Sequence, residues 1–243
     1  MRKLLSYPFS VLAYTGFILA LLIFHPIQVI ALRVFGYQAH KRSVDILSFF
    51  LNYSLLWTFS YSKIEGTNKI PAHKPLIFVA NHQGVFDIAG MSWHLRAFHP
   101  KYVSKKELGQ HIPSIGYNLR YGGSALIDRN DPKQALPVIK QLGEYIQAHN
   151  RSAIIFPEGT RTRNGKPRDF ASNGLKILCK YAPDAYVVPI TINNSWKVFQ
   201  YGSFPLGLGV RIRFTVHAPI AVNAMDFNSL FEHTQKTIVG AID

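Results

Sequence analysis

Cysteine is almost absent from this chain of 243 residues, since Cys179 is the only one. A single cysteine excludes an intramolecular disulfide and a multi-cysteine metal cage, and it fits a reducing compartment. Cys179 lies in the apolar pattern of a predicted helix, where a free cysteine usually packs in the core. The sequence therefore points away from a disulfide scaffold and from a cysteine nucleophile.

Acidic residues are also scarce: 13 Asp and Glu stand against 27 Lys and Arg, which gives a net charge of +14. Such an excess indicates an anionic partner, either nucleic acid, an anionic membrane surface or a phosphorylated substrate. No zinc-ligand spacing, heptad zipper or aromatic RNA-binding signature accompanies the basic residues. We therefore expect a membrane or a phosphorylated substrate, and no nucleic acid.

Charge is missing altogether between Lys3 and Arg33. The apolar run at 11–24 is long enough, with its flanks, for the ~20 apolar residues that span a bilayer. Basic residues precede it as in a signal peptide, but no small-x-small cleavage site follows, so we expect it to be retained. A second segment, residues 44–61, mixes aromatic with polar residues, which is typical of a helix at the membrane interface.

The basic residues Arg33, Lys41 and Arg42 lie between these two segments. A spanning hairpin would export them, against the positive-inside bias. Two helices in one leaflet, with the basic residues on anionic head groups, avoid that conflict. The alternatives are a single span followed by a surface helix, and a buried soluble hairpin. We predict a membrane-associated helical segment, residues 1–62, followed by a catalytic domain, residues 63–243.

From Tyr61 onward, apolar strand-like runs alternate with helix-like segments, which is typical of an α/β domain. The predicted strands are residues 76–80, 101–104, 124–127, 152–156, 186–192 and 210–217, and the main predicted helices are residues 88–97, 135–148, 170–181 and 226–242.

His82 and Asp87 follow the predicted strand 76–80 and precede a predicted helix. A strand that turns tightly into a helix places the imidazole beside the carboxylate, which is the arrangement of a general base and its orienting partner. The alternative is that Asp87 only caps the helix and that His82 is a polar loop residue.

Further polar residues mark the ends of three other predicted strands: Arg129, Glu158 with Arg161, and Lys105. In open α/β sheets, ligands collect outside the carboxyl ends of the strands, so we expect these residues to converge. Arginine suits phosphate because its planar guanidinium matches the phosphate oxygens. The alternative is that the arginines form surface salt bridges with Glu158 as their counter-ion. Lys105 is the weaker phosphate candidate, with a solvated surface lysine as its alternative.

Pro189 interrupts the predicted strand 186–192, and proline within a strand predicts an edge position or a bulge beside a site. Gly159, directly after Glu158, allows the backbone to approach a ligand closely.

In four motifs the chain resembles the bacterial 1-acyl-sn-glycerol-3-phosphate acyltransferases, the PlsC-type glycerolipid acyltransferases. The first motif, His-x4-Asp, is matched by His82 and Asp87, and the second, an apolar strand followed by Arg, is matched by residues 126–129. The third, Phe-Pro-Glu-Gly-Thr-Arg, is matched by residues 156–161, which include Thr160. The fourth, Val-Pro-Ile, is matched by residues 188–190. The resemblance covers about residues 60–220. Members usually carry Ser or Thr two residues after the histidine, where this chain has Gly84.

The resemblance implies a mixed, mainly parallel sheet flanked by helices. It implies transfer of a fatty acyl group from acyl-CoA or acyl carrier protein to the sn-2 hydroxyl of 1-acylglycerol 3-phosphate, giving phosphatidic acid. The alternatives are another lyso-lipid acceptor (a lysophospholipid, glycerol 3-phosphate or a lyso-aminolipid) and a non-catalytic lipid-binding relative. The enzyme would act at the cytoplasmic face of the inner membrane, in monotopic or single- or double-pass form. It would need no metal and no cofactor.

The resemblance also assigns roles. His82 would take the proton of the acceptor hydroxyl while Asp87 orients the ring. Arg129 and Arg161 would hold the acceptor phosphate, and Glu158 would order their loop by contacting the arginines or the glycerol hydroxyls. The substrate-binding set is completed by Gly159, Thr160, Lys105 and Pro189, of which Pro189 would help to shape the pocket.

Overall fold

The computed structural model describes residues 1–243, except the side chain of His111. The strands are β1 (Tyr61–Glu65), β2 (Leu76–Ala80), β3 (Pro100–Lys105), β4 (Ala125–Ile127), β5 (Ser152–Ile155), β6 (Tyr186–Asn193), β7 (Arg211–Val216) and β8 (Ile220–Ala221). The helices are α1 (Arg2–Tyr53), α2 (Phe86–His94), α3 (Leu108–His111), α4 (Ile115–Tyr121), α5 (Pro132–His149), α6 (Asn173–Tyr181) and α7 (Phe227–Val239). Short 3-10 helices cover Ser54–Thr58, Thr67–Lys69, Arg96–Phe98 and Ser195–Phe199.

The strands form a sheet in the order β1-β7-β6-β2-β5-β3-β4, with β8 beside β6. The pairs β2–β5, β2–β6, β3–β5, β3–β4 and β1–β7 are parallel, whereas β6 pairs antiparallel with β7 and β8. This confirms the mixed, mainly parallel sheet. Strands β2 and β5 are buried along their whole length because layers cover both faces of the sheet, which explains their uninterrupted apolar sequences.

Side chains of β2 alternate between two cores. Phe78 points to the layer that holds α1, α2 and α4, where it joins Met91 in a buried cluster. Ile77 and Val79 point to the layer that holds α5, α6 and α7. Cys179 of α6 belongs to this second core, and burial raises its pKa to about 12, which confirms the prediction that it packs in the core.

The predicted edge position of Pro189 is wrong. Pro189 lies in β6, an interior strand, opposite Val79 of β2. On its other side β6 pairs with β8 only at Tyr186 and Val187 and with β7 only from Ile190 onward. A proline is tolerated here because it lies between the two antiparallel partners, where a missing N–H breaks no ladder bond.

The N-terminal segment folds as one long helix with a break. α1 is interrupted at Gly36, where φ is 77° and ψ is −170°, so residues 2–35 and 37–53 form two arms; Pro8 and Pro26 lie within the first. By length and composition this helix could cross a membrane. Ala13 and Ala20 of the first arm are buried against the rest of the protein. Its opposite face exposes large apolar side chains: Leu4, Leu5, Val11, Leu12, Ile18, Leu19, Leu22, Ile23, Ile27, Ile30, Val34 and Phe35.

Candidate active site

The turn between β2 and α2 is fixed to the neighbouring strand by a side-chain amide. Asn81 Nδ2 donates to the carbonyl of Ile192 at 2.9 Å, and the N–H of Ile192 donates to Asn81 Oδ1 at 2.7 Å. The amide thereby continues the β2–β6 ladder by one residue. The chain is therefore held rigidly at the position from which His82 projects.

His82 and Asp87 lie side by side, as the strand–turn–helix pattern predicted. His82 Nδ1 is 2.8 Å from Asp87 Oδ2, and the same oxygen accepts the N–H groups of Gln83 at 2.6 Å and Gly84 at 2.8 Å. Because the carboxylate is fully buried and serves as an acceptor, we place the ring proton on Nδ1. The lone pair is then on Nε2, which forms no hydrogen bond within the part of the chain that the structure describes.

The imidazole is held from one face as well. The ring of His82 stacks on that of Phe156, with centroids 4.2 Å apart and planes inclined by 20°. The side chain keeps 13% of its surface exposed. The ring is thus fixed in plane and in rotation, yet a substrate can still reach it.

Glu158 ties the loop after β5 to the histidine turn. One carboxylate oxygen accepts the N–H of His82 at 2.7 Å and the other accepts the N–H of Arg168 at 2.8 Å. Burial raises the pKa of Glu158, and these two hydrogen bonds oppose the rise. Thr162 completes the connection, since its N–H donates to the carbonyl of His82 at 2.8 Å. Among the described residues Glu158 forms no ion pair, so it is not the counter-ion of the arginines.

The predicted phosphate-binding residues gather along the same edge of the sheet. Arg129 reaches towards Gly159, where a Cβ would lie 3.9 Å from its Nη1; Gly159 has a φ of 68°. Arg161 and Thr160 are exposed on the loop after β5. Lys105 is exposed at the end of β3, directly opposite Ile127 of β4 and therefore close to Arg129 in the sheet. Pro189 is the member that lies within the sheet instead of at its edge.

A cleft of about 390 Å³ opens beside the turn. Its walls combine Gln83, Gly84, Val85 and Phe86 of the turn, Arg161 and Arg163 of the loop after β5, Trp196, Phe199, Gly202 and Ser203 after β6, and Tyr14 and Phe17 of α1. Two cationic side chains and several apolar ones thus share one cleft, as a ligand with an anionic head and an apolar chain requires.

Sequence reasoning missed two walls of this cleft. Trp196 and Phe199 lie in the 3-10 helix directly after β6. They could have been predicted as site residues, because they follow a strand that was expected to end at the same sheet edge as His82. Tyr14 and Phe17 lie in the apolar segment, and nothing in its pattern sets them apart from their neighbours. The hydroxyl of Tyr14 donates to the carbonyl of Ser203, which joins α1 to the opposite wall.

Steric crowding explains why this chain has glycine at position 84. A Cβ on Gly84 would lie 2.7 Å from Oγ of Ser195 and 3.3 Å from its carbonyl oxygen. Ser195 is fully buried, and its Oγ has no partner among the described residues. The space next to the turn is therefore already filled by a hydroxyl from the segment after β6.

We expect Gly84→Ser to destabilise the protein by about 1–3 kcal/mol, because a side chain is forced into filled space. For a chain of this size, each kcal/mol of lost stability lowers the Tm by roughly 2–4 °C. The Tm is measured by thermal unfolding in detergent. The double variant Gly84→Ser with Ser195→Gly should lose less than the sum of the two single losses. Gly16→Ser is the matched control, since its Cβ would meet Trp57 only at an ordinary 3.6 Å. Strict additivity would contradict the steric explanation.

A model of the acyltransferase family matches residues 62–193, from β1 to the end of β6. The chain belongs to the acyltransferase family. The matched range contains the histidine turn, Arg129, the loop that holds Glu158 and Arg161, and Pro189. The resemblance found in the four motifs is thus confirmed.

Several curated relatives of this chain share one name. The chain is 36% identical over 127 residues to the 1-acyl-sn-glycerol-3-phosphate acyltransferase of Helicobacter pylori, which covers 51% of either chain. It is 31% identical over 178 residues to the enzyme of that name from Saccharomyces cerevisiae, covering 72% of this chain and 56% of the relative. The chain thus spans about half the length of the curated relatives that it matches.

The crystal structure of the 1-acyl-sn-glycerophosphate (LPA) acyltransferase PlsC from Thermotoga maritima superposes with a TM-score of 0.80 at 21% identity. The match covers 99% of this chain and 95% of that chain. It therefore includes α1, and it confirms the fold over nearly the whole chain.

Proposed function

We propose that the protein transfers a fatty acyl group from acyl-CoA or acyl carrier protein to the sn-2 hydroxyl of 1-acylglycerol 3-phosphate, giving phosphatidic acid. The observation that carries the proposal is the free Nε2 of His82, whose ring is fixed by the buried Asp87 beside a cleft with arginines on one wall. The names of the relatives favour this acceptor over other lyso-lipids.

In the proposed reaction, Nε2 of His82 takes the proton of the acceptor hydroxyl as its oxygen attacks the thioester carbonyl. The carbon–sulfur bond then breaks, and the thiolate leaves with the proton that the imidazolium returns. Asp87 stabilises the transient imidazolium and prevents the ring from turning. A thioester is already activated, so no acyl-enzyme, metal or cofactor is needed for this step.

The acceptor phosphate is bound by Arg161 and Arg129 in this proposal. Arg161 lies in the cleft wall beside the turn, and Arg129 approaches the same loop over Gly159. Each guanidinium can donate two parallel hydrogen bonds to two phosphate oxygens. This two-point contact fixes the position of the phosphate and therefore the distance from it to the acceptor hydroxyl near Nε2. Glu158 orders this loop, because its two oxygens accept backbone N–H groups from His82 and Arg168. Lys105 and Thr160 are exposed at the margin of this region and supply further contacts.

We assign the membrane attachment to α1, lying in the plane of the cytoplasmic leaflet of the inner membrane. Tyr14 and Phe17 of its first arm line the cleft, so this arm cannot leave the catalytic domain without opening the site. Its outer face is apolar, and Arg33 and Arg42 are exposed on either side of the break at Gly36, where they can meet anionic head groups. The acyl chain of the acceptor then enters the cleft from the leaflet.

A panel of acceptors tests the proposal directly. The purified protein in mixed micelles is given each of several lyso-lipids with acyl-CoA or acyl carrier protein, and the products are identified by mass spectrometry. We expect phosphatidic acid from 1-acylglycerol 3-phosphate at the highest rate. Faster acylation of a lysophospholipid or a lyso-aminolipid would overturn the acceptor, and no acyl transfer to any acceptor would overturn the reaction.

A further inference from the structure

A second polar cavity lies at the opposite end of the sheet from His82. It is bounded by the first residues of β3, from Pro100, and by the arm of α1 that follows Gly36, and its volume is about 30 Å³. Strands β2, β5 and β3 are parallel, so this is the amino end of strands whose carboxyl ends face the active site. Five strand residues at ~3.3 Å each separate the two places by roughly 16 Å.

One basic side chain that faces this cavity is buried without a hydrogen-bond or ion-pair partner. Lys101 is 6% exposed, and its ammonium forms no hydrogen bond or ion pair with the residues that the structure describes. His40, 1% exposed, lies in the same wall. Buried polar groups are normally paired, and an unpaired buried ammonium is costly. Lys101 therefore indicates a ligand.

The charge around the cavity is strongly positive. The guanidinium carbon of Arg151 is 4.4 Å from the ring centroid of Tyr37, and Lys101 Nζ is 4.8 Å from the same centroid. The carboxylate in the wall, Asp45, already pairs with Lys41. Burial, followed by repulsion from Arg151 and Lys41, lowers the pKa of Lys101 to about 7.

The same positive charges act on the neighbouring His99. Burial, and then the charges of Lys41, Arg151 and Lys101, lowers the pKa of His99 to about 4. His99 lines the cavity, and its Nδ1 is 3.4 Å from the hydroxyl of Tyr37. A bound anion would relieve this mutual repulsion between cations.

We propose that this cavity binds a single oxyanion of the phosphate type, with Lys101 as its central ligand. The ammonium offers three donors, and Lys41 and the amide of Asn118 line the same space. At ~10–15 Å³ per water-sized group, the cavity has room for two or three oxygens of one oxyanion, and the rest of the ligand lies outside it. The anion is either free phosphate or the phosphate of a lipid head group. The lipid is included because Val34 and Phe35, just before the break at Gly36, are exposed at 67% and 71%.

Thermal unfolding of the full chain in neutral detergent tests the site without acyl donor or acceptor. Inorganic phosphate is titrated at constant ionic strength set with chloride, and the same proteins are mixed with phosphatidylcholine vesicles with or without phosphatidylglycerol. The variants are Lys101→Met and the milder Asn118→Ala. The control is Lys140→Met, which changes a partly exposed lysine beside Glu144. Arg161→Met reports separately on anions that bind at the active site.

We expect phosphate to raise the Tm of the wild type, Lys140→Met and Arg161→Met, with at least tenfold weaker apparent affinity in Lys101→Met and a smaller loss in Asn118→Ala. In chloride alone, Lys101→Met should unfold at a higher temperature than the wild type, since an unpaired buried charge is gone. A response confined to the vesicles with phosphatidylglycerol, and lost in Lys101→Met, assigns the anion to a lipid. Equal responses of the wild type and Lys101→Met, or no response to either source, overturn the proposal.

Discussion

We expect His82→Ala to lower kcat for acyl transfer by roughly 10²–10⁴-fold, the usual contribution of a positioned general base. The apparent KM for the acceptor changes little, because Nε2 acts on the hydroxyl proton only in the transition state and adds no ground-state binding. The reason is geometric: Nδ1 is engaged by the buried Asp87, and Nε2 is the ring atom left for the substrate. Initial rates of thiol release with saturating acceptor measure the effect.

Asp87→Asn keeps the His82 ring but changes the group that orients it. An amide at this position can still accept a backbone N–H, but its NH₂ group can drive the ring proton from Nδ1 to Nε2 and block the base. We expect a kcat loss in the same range as for His82→Ala, and the double variant should be no worse than either single variant. His149→Ala, at the exposed end of α5, is the control and should keep full activity. Near-normal kcat in purified, folded His82→Ala would contradict the general-base role.

The parts of the site that sequence could predict are those encoded locally. The β2–turn–α2 unit follows from an apolar run, a turn and a helix within 20 residues, and its His–Asp pair is only five positions apart. The parallel arrangement of β2, β5, β3 and β4 then brings Glu158, after β5, and Arg129, after β4, to the same edge, because the carboxyl ends of parallel strands coincide.

The remaining parts depend on contacts between distant segments. Gly84 is explained only by Ser195, which is 111 positions away, and the cleft wall at Tyr14 depends on Ser203, at a separation of 189 residues. Apolar periodicity shows that a face is buried but not what covers it. The edge position of Pro189 was predicted wrongly for a similar reason. A proline is tolerated in this interior strand because of where β7 and β8 end, which the sequence around Pro189 does not show.

Removing both candidate phosphate ligands, in Arg129→Met with Arg161→Met, should raise the apparent KM for 1-acylglycerol 3-phosphate by roughly 10²-fold. Hydrogen bonds to charged groups contribute about 1.5–3 kcal/mol each, and the exposure of Arg161 places its contribution near the lower limit. Arg161→Met alone should therefore raise the KM about tenfold. Rates are measured at varied acceptor concentration with saturating acyl donor.

The decisive comparison uses 1-acylglycerol, an acceptor with the same chain and hydroxyl but without phosphate. If the arginines bind phosphate, the variants lose the preference for the phosphorylated acceptor and handle 1-acylglycerol as the wild type does. Arg161→Lys should restore only part of the preference, because an ammonium cannot replace the two-point contact of a guanidinium. Arg211→Met, exposed on β7, serves as the matched control. Equal losses with both acceptors would mean that the arginines support the fold of the loop instead of binding phosphate.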